Sequence, residues 1–234
     1  MSIDDPIKAV QRQYPEHDSP LALAMQILGP LAPFTGVAAA LGQFFSGKGT
    51  RARIRAMFEA FEFYIRNHGK RLDELESRIN SPKFIDALVT AIEESARAAQ
   101  PEKVERFGRV LGHSLAADPK TSALEEAPAY IRQLSELGQA DIDVLKILYD
   151  TQGHLLVESQ RTFEAFQFES TMQTVFARLN EAHIHRDDFY ARCARLQGFG
   201  LALWVAFGTA LAGPNEYTFR LTLRGKSLVE ILTK

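Results

Sequence analysis

Residue types able to do chemistry are few in this chain, and they are scattered. There are six histidines, and His183 and His185 are the only close pair. No Cys, Asp or Glu stands at metal-ligand spacing from them on one helical face, so they read as turn residues. Cys193 is the only cysteine. It excludes an intramolecular disulfide and suggests a reducing, cytoplasmic setting. Gly42 to Lys48 (GQFFSGK) matches the phosphate-binding pattern G-x-x-x-x-G-K, but Gly49 follows where Ser or Thr would hold Mg²⁺. An apolar segment precedes it where a strand is required, so a flexible linker explains the glycines better.

Charge points more usefully. The whole chain carries −2 with a pI of about 6.3, which is no nucleic-acid footprint. Residues 160–234 hold nine Lys/Arg against seven Asp/Glu, a local +2. Arg186, Arg192 and Arg195 fall on one expected helix, and Arg220, Arg224 and Lys226 follow on a strand and a helix. Those six are the candidates for gripping the phosphates of duplex DNA. Asp187 and Asp188 beside them, and the cation-free loop GTALAGPNE, argue instead for a protein partner. No catalytic residue, metal or cofactor is assigned.

The elements that must position these residues divide the chain. Residues 1–19 form a polar N-terminal segment with Pro6 and Pro15. From Pro20 to Ser46 no residue is charged, and Gly29-Pro30 and Pro33 interrupt the run, so a hairpin of two short apolar helices is expected there. Then Ile54, Phe58, Phe61, Ile65, His68, Leu72, Leu75 and Ile79 recur at alternating spacings of four and three. That heptad stripe predicts a helix over 50–80, about 45 Å long, with His68 its one polar member and Gly69 a weak point. Its length exceeds what helix 82–99 can cover. Ile54, Phe58, Phe61 and Ile65 are therefore expected at a homo-oligomer interface, most simply a two-fold dimer. Ser81 and Pro82 should cap and open the next helix, Pro101 another, and bundle helices continue to residue 137, where Gly138 reads as a C-cap.

After residue 140 the pattern changes. A helical stretch ends near Leu179, and DDFYARCARLQGFG buries Phe189, Cys193 and Leu196. LALWVAF and YTFRLTL read as strands, and RGKSLVEILTK as a closing helix. LQGFGLA resembles a recognition helix running into the first wing strand. LTLRGKSLVEIL resembles the Leu-Thr-x-x-Gly close of bacterial winged-helix proteins. The resemblance covers roughly 140–234 and implies a winged helix, with Gly225 admitting a tight strand-to-helix approach and Leu228, Val229 and Leu232 packing on the core. The upstream bundle resembles uncharacterised bacterial proteins with an apolar N-terminal hairpin. Arg106 and His113, with six residues between them, and Arg178 and His183, with four, resemble the Arg–His spacing of HEPN-type ribonucleases. Phe107 and Leu179 stand where that family has a polar residue.

The expectation is thus a mainly α protein: 20–139 a helical domain, 140–234 a winged helix. It would act as a non-enzymatic regulator or adaptor binding nucleic acid or protein, and the seam leads us to expect a homo-oligomer. Two alternatives remain: a membrane-active effector using 20–46, whose basic flank is Lys48, Arg51, Arg53 and Arg55, and a helical ribonuclease. No basic n-region or cleavage site for a secretory signal is seen.

Overall fold

The computed structural model describes residues 47–69, 75–158, 165–206 and 217–233, and the expected hairpin over 20–46, the polar segment 1–19 and the loop 207–216 lie outside them. Among the described residues the chain is mainly helical, with one two-stranded sheet. It divides into two compact units, Met1–Glu136 and Leu137–Lys234.

Unit 1 is built from α1 (Lys48–Asn67), the single turn α2 (Glu76–Ile79), α3 (Pro82–Arg97), α4 (Pro101–Ala116) and α5 (Ala123–Glu136). Of the heptad stripe, Ile54, Phe58, Phe61, Ile65, Leu75 and Ile79 are buried, His68 is exposed and Leu72 lies outside the described residues, and the expected continuous helix over 50–80 is interrupted. α1 stops at Asn67, and Gly69 turns left-handed at φ 63°. That is a conformation glycine adopts without a Cβ penalty. Leu75 and Ile79 lie beyond the break and are buried all the same, because the short α2 turns the same apolar residues inward.

α1 packs parallel to α4, and two glycines make that possible. A Cβ on Gly108 would lie 2.2 Å from the Met57 carbonyl oxygen, and one on Gly112 would lie 2.8 Å from Tyr64 Cβ. Having no side chains, these glycines let the two backbones approach, at a helix-propensity cost of about 1 kcal/mol each. α3 runs antiparallel to α1. Its Phe84 ring meets Phe61 at 6.2 Å, while Arg53 near the start of α1 reaches the far end of α3. There Arg53 donates from Nε to the Ser95 carbonyl (3.1 Å) and from Nη2 to the Ala96 carbonyl (2.8 Å).

The same device recurs at two other helix ends. Arg78 donates to the Ser114 carbonyl (3.0 Å) and to that of Ala117, closing α4. Lys103 donates to the Ser135 carbonyl (2.6 Å), closing α5. A cation at a helix C-terminus satisfies orphan carbonyls and opposes the negative end of the dipole. The start of α3 is as the sequence predicts: Ser81 Oγ accepts from the Phe84 N–H (3.3 Å), with Pro82 in the first position.

Unit 2 comprises α6 (Gln139–Glu158), α7 (Ala165–Glu181), α8 (Arg186–Gly198), β1 (Ala202–Ala206), β2 (Tyr217–Leu221) and α9 (Leu223–Thr233). β1 and β2 pair antiparallel with Ala202 opposite Leu221 and Leu203 opposite Arg220. Period-2 alternation puts Phe219 and Leu221 in the core and Arg220 outside. The step from sheet to α9 is tight. Thr222 Oγ1 accepts from the Gly225 N–H (2.9 Å) and donates to the Gly200 carbonyl (2.8 Å). A Cβ on Gly225 would lie 2.1 Å from the Leu201 carbonyl oxygen, so only glycine fits, and Leu228, Val229 and Leu232 are buried behind it.

The α1–α4 contact makes a sharp prediction. Gly108→Ala drives a methyl into the Met57 carbonyl and should cost about 3 kcal/mol by overpacking. Gly49→Ala meets only Arg53 Nη1, at an ordinary 3.7 Å. It should leave stability unchanged or raise it by up to about 1 kcal/mol. Urea midpoints of the two variants test the contrast, and equal midpoints would remove the close-approach account.

Candidate nucleic-acid interface

α8 carries three of the six candidate cations, so its boundaries decide where they can point. α7 ends in a Schellman turn: the Ile184 N–H reaches the Leu179 carbonyl (2.9 Å) and the His183 N–H reaches that of Asn180 (3.1 Å). The pivot is His183 at φ 55°, a left-handed residue other than glycine, at a cost of about 1 kcal/mol. Leu179 and Ile184, the positions whose hydrophobic contact commonly accompanies this motif, are both buried. His185 then caps α8, its Nδ1 accepting from the Asp187 N–H at 3.4 Å. The only close histidine pair is therefore a turn residue followed by a cap.

At the other end of α8 the same turn is made with glycine. Gly200, at φ 70°, donates to Gln197 (2.9 Å), and Leu201 donates to Leu196 (2.9 Å). Two matched turns thus fix α8, with Phe189, Cys193 and Leu196 on its inner face. Cys193 is fully buried, and that burial pushes its thiol far above the usual range.

The arginines of α8 do not simply face outward. Asp141, in the first turn of α6, has a side chain only 1% exposed. Its Oδ2 accepts from the Gly138 N–H (2.8 Å), in the manner of a capping box, while the Ile142 N–H returns to the Gly138 carbonyl (3.2 Å). Gly138 hence starts α6 instead of closing the helix before it, contrary to the expected C-cap. The remaining capacity of the carboxylate goes to α8: Arg192 Nη1 donates to Oδ1 at 2.9 Å, and Arg195 Nη1 stands 3.5 Å from Oδ2. A buried carboxylate is tolerable only when paired and hydrogen-bonded, and this one has three partners.

Arg186 is engaged differently. Its guanidinium lies 4.4 Å from the centroid of the Phe176 ring and 5.9 Å from that of Tyr190. Arg220 is exposed on β2 across from Leu203, while Arg224 and Lys226 are half-buried at the start of α9. The structure therefore gathers Arg186, Arg192 and Arg195 on one helix but ties all three to unit 2 itself. The exposed positions along α8 are Arg186, Asp187, Asp188, Ala191, Ala194, Arg195, Gln197 and Gly198. Sequence reasoning missed Asp141. Its spacing from Gly138, with a carboxylate three residues after a helix-opening residue, was the signal available.

The other sequence candidates also find places. Ile54, Phe58, Phe61 and Ile65 are between 0% and 2% exposed within the chain's own bundle, so the seam is internal and offers no surface to a second copy. α4 packs on this seam through the close approach at Gly108 and Gly112, a partner not expected from the apolar stripe of α4 alone. His113 Nδ1 and the Tyr64 hydroxyl share a hydrogen bond of 3.0 Å, and the His68 ring stacks on Tyr64 at 4.0 Å. Burial raises the Tyr64 phenol above its ordinary range, with Arg109 opposing. In the second Arg–His pair, Arg178 is ion-paired to Glu181 at 3.6 Å, and His183 is the pivot of the turn. Among the described residues no helix is long and apolar enough to cross a membrane. Comparison with protein-family models, curated proteins and solved structures finds no match to this chain.

Two outcomes follow. Asp141→Ala strips α6 of its cap and leaves two arginines without their anion. Because those arginines are a third to a half exposed, the cost should be about 2–3 kcal/mol, at or below the low end for a broken buried pair. Chemical denaturation followed through unit 2 checks it. Cys193 should also resist a thiol reagent such as dithionitrobenzoate in the native protein and react at once in denaturant; prompt native labelling would contradict its burial.

Proposed function

We propose that unit 2 is a winged-helix module used for binding protein, and that the chain acts as a non-enzymatic adaptor or regulator. The order α6–α7–α8, hairpin, α9 supports the winged-helix reading, as does the Thr222–Gly225 junction that seats the last helix on the sheet. The observation that carries the choice of ligand is the double engagement of Asp141 by Arg192 and Arg195.

A recognition helix reads DNA by placing donors on base edges and cations on phosphates. Here the helix opens with Arg186 followed by Asp187 and Asp188, which repel phosphate, and its exposed positions continue with Ala191, Ala194, Arg195 and Gln197. Withdrawing Arg192 or Arg195 to a phosphate would leave the buried Asp141 short of a partner, so DNA contact would be taxed by unit 2's own stability. A protein partner needs no such withdrawal. Leu203, 53% exposed, and Leu223, 82% exposed, offer apolar area beside Arg220.

Electrophoretic retardation with random-sequence duplex DNA tests the choice. No retardation is expected at physiological salt. A steep salt dependence that falls by about three units of log–log slope in an Arg192→Ala, Arg195→Ala, Arg224→Ala variant would establish DNA binding in its place.

A further inference from the structure

We draw no further inference here: the strongest candidate, the exposed surface of unit 2 with Leu203 on β1, Arg220 on β2 and Leu223 at the start of α9, belongs to the site already described, and nothing in the structure shows what covers it.

Discussion

A carboxylate with a side chain 1% exposed cannot stand alone, and the organisation of unit 2 follows from that constraint at Asp141. Ionised and buried, it would cost several kcal/mol without partners. It therefore draws a backbone N–H from Gly138 and two guanidinium groups from α8. One carboxylate thereby opens α6 and ties two cations of α8 to it. The rotation of α8 matters because Phe189, Cys193 and Leu196 must all face the core at once. The polar link and the apolar face agree on a single orientation, and such agreement between levels is what makes a fold specific.

Unit 1 obeys a different constraint, the distance between two helix backbones. Gly108 and Gly112 let α1 and α4 approach until a methyl group would collide with the Met57 carbonyl. That approach buries Ile54, Phe58, Phe61 and Ile65 without help from another chain. Three helix ends in this unit are then closed by Arg53, Arg78 and Lys103, each reaching from a different helix. Burial lowers the Arg78 guanidinium from its ordinary range, with Asp118 acting against the shift. The carbonyls it satisfies offset that desolvation.

Much of this was legible in the sequence, and the misses have physical causes. Ser81-Pro82, Pro101 and the Thr222–Gly225 step announced themselves, because capping and close approach demand particular residue types. The heptad stripe correctly named the buried residues of α1 and failed on continuity. Periodicity records which side chains go inward, and a break at Gly69 leaves that record intact when the next turn faces the same way. The apolar stripe of α4 was visible, but its close approach to α1 was not, because Gly108 and Gly112 carry no hydrophobic signal. The arginines of α8 were seen, and the carboxylate that engages two of them was not. A charge count gives the number of cations and says nothing of which way a guanidinium turns, and Asp141 lies 51 residues from Arg192 along the chain.

The internal uses of cations bear on how a chain of formal charge −2 can still present a basic surface. Arg53, Arg78 and Lys103 are bonded to carbonyls, while Arg192 is hydrogen-bonded and Arg195 ion-paired to Asp141. Each such bond fixes a long side chain that would otherwise sample solvent, so these positions contribute to shape more than to the surface potential. The potential outside is set by what remains, and its arrangement is uneven. Along α1, Lys48 and Arg55 precede the first acid, whereas along α8 the acids Asp187 and Asp188 follow Arg186 at once. Net charge averages over these opposite ends. The local order of exposed residues, read against those already engaged, is the quantity a partner meets.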